Sequence, residues 1–566
     1  MRERLHVTIA LGVMFTASSL PAQQLDWAKS IGGTGGEVGY AMDIDSEHNV
    51  YITGTFNDLA DFDPSASTAN LTPAGSNDIF LAKYDSLGNY VWAVSFGGSE
   101  YDAGFAIAVD ANGNSYITGQ FRNTVDFDAS SATEALTSSG QSDAFLAKYD
   151  TDGNLAWAHK MGGASFDGGQ DLALDGSGNV YVCGDFQNSG TFDPADMTDV
   201  LFTEGQSDGF FAKYNSNGQY QWAKNIGGSD FDAANRIVAA DNGDVYVAGG
   251  FIGTADMNGS DIGTNEITSA GFGDVFLVKY NHAGVFIWAK KIGGLAGESV
   301  TALDFDQNGN VYVGGDFFGN IRFNSSNNDS LTSLGNNDVF FTKYNTSGDF
   351  IWAKSFGGTQ ADDLSGLSIG IDNRIYISGY FRGTIDLNAS PTHSPFTSAG
   401  EIDIFLAAYD DSGNHIWSQT IGGTSDDYCE GLITDENGRI YITGYYAGIA
   451  DFDASSNTTH LTSAGFADVF IARYATPQQA VGIENAEKIL GISLYPNPNI
   501  GAFNITFDEM PSDAELMIYN ASGKLVHQQK TTETSCYIQM EGQPAGNYFV
   551  RITQGKNSQV THIIKQ

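Results

Sequence analysis

The chain has 566 residues, 69 of them glycine and only 11 proline, with 12% aromatics; together with abundant Val, Ile, Tyr and Phe this suits many short strands joined by tight turns, and it excludes helical bundles and disorder. Its 68 acidic residues against 26 basic ones give a formal charge of −42, which repels phosphate backbones and anionic membrane surfaces, so nucleic acid is not expected as a partner. Three cysteines, Cys183, Cys429 and Cys536, indicate no disulfide framework.

In chain order, Arg2 and Arg4 precede the apolar run VTIALGVMFTASSL and then PAQQ, the layout of a secretory signal peptide over residues 1–24. That run is too short for a stable anchor, and no other stretch approaches the roughly 18 apolar residues of a spanning helix. The expectation is an exported, extracellular protein with no transmembrane segment.

From residue 25 to 475 the chain repeats. Its seven tryptophans, Trp27, Trp92, Trp157, Trp222, Trp288, Trp352 and Trp417, are spaced by 65, 65, 65, 66, 64 and 65 residues. So constant a period marks a repeat architecture. Each repeat reads as four strands of alternating β-branched and aromatic residues: a first of the type GFAIAVD, a second of the type NVYITGTF, a third of the type DIFLAKYD, and a fourth holding the tryptophan. Asp/Asn-Gly turns such as DANGN and DTDGN join them as hairpins.

One such meander cannot bury aromatics on both faces, so repeats must stack, as an open solenoid or a closed propeller. LDWAKSIGG stands at the start as a fourth strand without its three predecessors, and DVFIARYA ends the last repeat without a fourth. The two fragments complete one unit. The predicted fold is therefore all-β, a seven-bladed β-propeller of four-stranded blades closed by the N-terminal strand.

The polar segment 476–491 reads as a linker, and 492–566 as alternating strands sufficient for a small Ig-like β-sandwich.

Two resemblances attach to these motifs. The pattern WAKxIGG, then DxxGNVYITGxF, then DxFLAKYD resembles the bacterial SBBP-type β-propeller repeat over all seven units. YPNP at Tyr495, Pro496, Asn497 and Pro498, then Gly501, the PAGNYFVRI segment with Gly546, and the terminal HIIKQ with Lys565 resemble the type A sorting domain of the type IX secretion system of Bacteroidetes. The second resemblance implies passage across the outer membrane by that machinery, removal of the tail, and release of the body or its attachment to the cell surface.

Candidate sites follow from the repeat. Ten residues after each tryptophan stands an acid, Glu37, Asp102, Asp167, Asp232, Glu298, Asp362 or Asp427, following a glycine pair. Antiparallel connectivity places all seven on one rim, where they are expected to ring the channel mouth as a binding feature. The loops between second and third strands repeat ADFDPS-like segments; Asp61 with Asp63, Asp126 with Asp128, and Asp451 with Asp453 are the candidate metal ligands. A D-x-D supplies too few oxygens for calcium and Arg322 breaks the pattern, so loop capping is favoured over coordination, and calcium is the one cofactor weighed.

The GQSDG at 205–209 matches a nucleophile elbow, but sister repeats read GSNDI and GFGDV there and it leads into a strand. With no catalytic motif, a non-enzymatic binding, scaffold or adhesion protein for a surface, glycan or protein ligand is expected. The alternative is a polysaccharide hydrolase or lyase using rim carboxylates.

Overall fold

The computed structural model describes residues 23–475 except 197, 260–262, 325–328, 389–394 and 456, and in the tail 492–495, 501–507, 514–520, 524–540, 542–544, 546–554 and 557–565. The signal-peptide and linker segments lie outside the described residues, as do Pro496, Asn497 and Pro498. The chain divides into two compact units, Met1–Thr476 and Pro477–Gln566.

Every described regular element is a strand, and every ladder between named strands is antiparallel. In the first unit one pattern recurs: Ala103–Val109 pairs with Ser115–Phe121, which pairs with Asp143–Tyr149, which pairs with Leu155–Met161. The first strands touch in succession, from Glu37–Ile44 through Ala103–Val109, Gly168–Leu174, Asp232–Ala239, Glu298–Phe305 and Asp362–Ile369 to Asp427–Thr434, and the last touches the first. Sheet faces thus meet around a closed circuit.

The circuit shuts at Gln24–Gly33. This strand runs against Asp468–Ala475, with Trp27 opposite Arg473 and Ile31 opposite Val469. Side chains reinforce the ladder: Arg473 Nε lies 3.0 Å from Asp26 Oδ2 with its guanidinium over Trp27, and Ser30 Oγ donates to Asp468 at 3.0 Å.

Tryptophans hold neighbouring sheets together. The Trp92 indole donates to Thr151 O at 3.0 Å in the hairpin turn of the next sheet, and a Cβ on Gly153 of that turn would stand 3.1 Å from the indole. Gly153 also has φ +82°, so the turn requires glycine twice over. Lysines of the third strands complete the seam: Lys83, held 3.7 Å from Asp45 of its own sheet, donates to Thr151 Oγ1 of the next at 3.0 Å. The three cysteines are free and buried.

In the second unit, Ala502–Phe507 pairs with Ile492–Tyr495 and Ser535–Gln539, while Ala514–Asn520 pairs with Leu525–Thr531 and Gly546–Gln554, which pairs with Asn557–Lys565. Phe503, Ile505 and Ile538 of the smaller sheet share one buried cluster with Leu516, Ile518 and Val550 of the larger.

Candidate functional site

The seven acids after the tryptophans are all buried, between 0% and 8% exposed, and none lines the central cavity. This corrects the expectation that they ring the channel mouth: they sit in the seams between sheets. Asp102 shows the construction. Its amide donates to Asn77 O of the preceding sheet at 3.0 Å, its Oδ2 accepts from Gly98 N at 2.7 Å, and its Oδ1 accepts from Arg122 N at 2.8 Å.

The same glycine amide reaches Glu37, Asp167, Asp232, Asp362 and Asp427. The fixed offset from tryptophan to acid is thus the length of the corner between two sheets. In six of the seven pairs the first glycine makes room for a second carboxylate: a Cβ on Gly97 would fall 2.2 Å from Asp78 Cγ.

Each seam therefore holds two carboxylates in little water, and burial pushes the ring acids up, Asp102 to about 6, Glu37, Asp167, Asp232 and Asp427 to about 7, and Glu298 and Asp362 to about 8. Asp102 has two amide donors. Asp362 has one, and its Oδ1, like Oδ1 of Asp338 in the same seam, has no hydrogen bond. Burial raises Asp362 most, and the neighbouring carboxylates of Asp338, Asp363 and Asp316 add to it.

The loop aspartates cap their own turns. Oδ1 of Asp61 accepts from Asp63 N at 3.0 Å and Ala69 N at 2.8 Å, and Asp63 Oδ1 accepts from Ser65 N at 2.9 Å. Asp126 and Asp128 repeat the arrangement, as do Asp451 and Asp453. Among the described residues no cluster of three or more His, Cys, Asp or Glu side chains could hold a metal ion.

A feature that strict strand alternation does not reveal lies on the channel wall. Every first strand slips register once against its neighbour, and the skipped residues are Tyr40, Phe105, Gln170, Asn235, Thr301, Ser365 and Glu430, each 13 after its tryptophan. A bulge of this kind re-aims a side chain. Six of these residues, with Arg236 from the remaining strand, line one cavity of about 180 Å³.

The wall is two-sided. Its aromatic side is Tyr40 and Phe105, with ring centres 5.4 Å apart. The opposite arc is polar. There Arg236 Nε donates to Thr301 O at 2.6 Å and its charge opposes the burial that raises the Asp171 carboxyl. The legible signal was chemical: the skipped position differs in all seven repeats, while the tryptophan, glycine pair and acid that precede it recur.

In the tail, Lys565 Nζ donates to Met540 O at 2.9 Å and to Gln543 O, while Gly501 O accepts from Met540 N at 2.8 Å. Two of the expected sorting-motif residues thus brace one turn. Gly546 begins a strand with φ +151°, and Tyr495 is exposed.

The sequence comparisons agree with both resemblances. Residues 493–566 match the model of the secretion system C-terminal sorting domain, and residues 416–445 match that of the beta-propeller repeat. The chain thus carries β-propeller repeats and a type IX export address.

An uncharacterized WD repeat-containing protein, L264, of Acanthamoeba polyphaga mimivirus is 23% identical over 84% of this chain and 40% of its own length. The regulatory protein FlaEY of Caulobacter vibrioides is 24% identical over 70% of this chain and 42% of its own. The chain spans about two fifths of the length of these relatives. Among solved structures, a fungal alcohol oxidase of the AA5 family in complex with copper aligns with 96% of this chain and 100% of its own, at 10% identity and TM-score 0.36.

Proposed function

We propose that residues 25–475 form a seven-bladed β-propeller closed by its N-terminal strand, that the tail is an Ig-like sandwich, and that the body is a non-enzymatic binding or scaffold module delivered to the cell surface through type IX export. The sorting-domain match supports the export route. Release or surface attachment after removal of the tail completes that route.

One observation carries the binding role: the bulged position facing the channel changes chemistry in every repeat, on a frame whose other positions recur. There Tyr40 and Phe105 stand side by side, and the residue is polar in the other five repeats. Such a wall suits an amphipathic ligand such as the exposed end of a glycan, whose C–H faces stack on tyrosine while its hydroxyls meet amides and charges. The ring acids, buried and held by backbone amides, lack the access that a hydrolase or lyase needs.

A glycan and surface-protein array probed with the full chain, followed by product analysis of each ligand retained, tests this reading. The expected result is a retained ligand recovered unchanged, and loss of its capture in Tyr40→Gln/Phe105→Gln, which gives two bulges the residue already used at Gln170. Shortened or unsaturated products would replace the binding module with an enzyme.

A further inference from the structure

One repeat departs from its sisters in charge. The residue 34 after the tryptophan is Asp61, Asp126, Asp256, Asp386 and Asp451 in five repeats and Thr191 in a sixth, and it is Arg322 in the repeat of Trp288. Where aspartate stands there it accepts loop amides, as Asp256 does from Asn258 N at 3.0 Å and Asn265 N at 2.8 Å. Arg322 cannot accept; it is exposed and has no side-chain partner among the described residues.

It lies on a short strand, Asn320–Arg322, paired with the end of Phe286–Gly294, where Arg322 stands opposite Gly293. That second strand carries Lys290 and Lys291, the one double lysine at its position in the seven repeats. Lys290 extends over the Trp288 ring, 5.7 Å from its centre. Lys291 donates to Thr268 O at 2.8 Å and lies 3.4 Å from Asp274.

Arg322, Lys290 and Lys291 line a single open cleft of about 1010 Å³, with Asp349 as the one lining acid among the described residues. In a chain whose acids outnumber its bases 68 to 26, this is a local inversion of charge.

We infer that this cleft binds an acidic oligosaccharide, a short chain of sugar rings bearing carboxylate or sulfate groups. An exposed guanidinium fork fits such planar or tetrahedral oxyanions bidentately, and ammonium groups add point charges beside it. The volume stands at the upper end of ligand sites and far exceeds an inorganic anion. Phe350, half-buried in the wall and stacked on Phe323 at 6.0 Å, adds apolar surface for the edge of a sugar ring, and Asn320, whose Nδ2 donates to Thr332 Oγ1 at 2.9 Å, adds its side-chain oxygen as an acceptor for a hydroxyl. The large negative charge elsewhere disfavours long polyanions such as nucleic acid.

The inference rests on reading the body as a binding module. Titration calorimetry of the full chain with tetragalacturonate, a sulfated tetrasaccharide and neutral maltotetraose tests it, with the recovered sugars sized afterwards. Binding of at least one anionic probe and not of the neutral one is expected. Arg322→Asp, which restores the residue of five sister repeats and so preserves the fold, should weaken that binding by about tenfold or more, and Lys290→Gln should weaken it less.

Unchanged affinity in Arg322→Asp, binding of neither anionic probe, or tighter binding of a pentaglutamate peptide would overturn the assignment. Binding followed by cleavage would leave the cleft in place and overturn only the non-enzymatic reading. Whether carboxylate or sulfate is the natural group follows from which anionic probe binds more tightly.

Discussion

Removing residues 25–33 will cost the repeat unit about 5 kcal/mol, because it takes out a buried isoleucine and a half-buried tryptophan together. Ile31 is 1% exposed within a cluster that includes Val50, Ile52, Phe80 and Val469, with Trp27 packed against it. The deletion also bares the backbone of Asp468–Ala475 along the register it shares with Gln24–Gly33 and leaves Arg473 without Asp26. An unpaired strand edge of that length is an aggregation site.

The expected outcome is insoluble protein, or a broad, non-cooperative unfolding transition measured by circular dichroism. Since the deletion can abolish folding outright, Trp27→Ala is the milder companion: it should fold and melt lower, by an amount near 3–5 kcal/mol. Solubility and cooperativity unchanged in the deletion would mean that the circuit does not depend on this strand.

Stability should also fall as pH rises from about 5 to 8. The seven ring acids bind protons more tightly when folded, holding them up to about 6, 7 or 8, than in the unfolded chain, where they ionise near 4. Between those values the native state carries the extra protons, so stability is fully present below the unfolded pKa and is lost as pH climbs through the folded one. Each tenfold difference in proton affinity between the two states is worth about 1.4 kcal/mol for one group.

Relaxation of the seams and entry of water keep the sum to several kcal/mol, or roughly 5–10 °C in melting temperature. Melting curves between pH 5 and 8 should show that decline, steepest from about pH 5 to 6.5, where the folded state holds nearly all its extra protons, and flattening toward pH 8. Asp362→Asn should flatten it, because the amide keeps the shape, removes the charge, and can donate toward the unpartnered oxygen of Asp338. A flat profile in the unmodified chain would mean that the seam carboxylates are solvated and ionised.

The frame was legible because its residues repeat. Trp92, Gly98 and Asp102 recur at fixed offsets, and those offsets are corner and seam lengths that leave no freedom. The place of Asp102 was not legible: whether an acid at a strand entrance faces a channel or a seam depends on how closely the next sheet approaches, and here its backbone is bonded to Asn77 of that neighbour. The bulge at Tyr40 was hidden for a related reason. Strict alternation assigns every second residue to one face, and a register slip appears only once the partner strand is aligned. Arg322 was visible as a break in pattern, but the cleft beside it is completed by Gly348, Asp349 and Phe350 from the hairpin turn between Asp338–Tyr344 and Phe350–Gly358.

The central claim is that residues which recur build the frame and residues which differ meet the ligand. The melting temperature of Asp102→Asn, set beside that of Tyr40→Gln/Phe105→Gln in calcium and in chelator, tests it most directly. In Asp102→Asn an amide group must face Gly98 N or Arg122 N, donor against donor in a buried seam, at a cost of about 1–3 kcal/mol. The account predicts that this variant melts lower by a few degrees, that the channel double variant melts within about 2 °C of the unmodified chain, and that calcium shifts none of the three. A calcium-dependent rise in the unmodified chain that disappears in Asp102→Asn would contradict it, and would make the recurring acids a cation site.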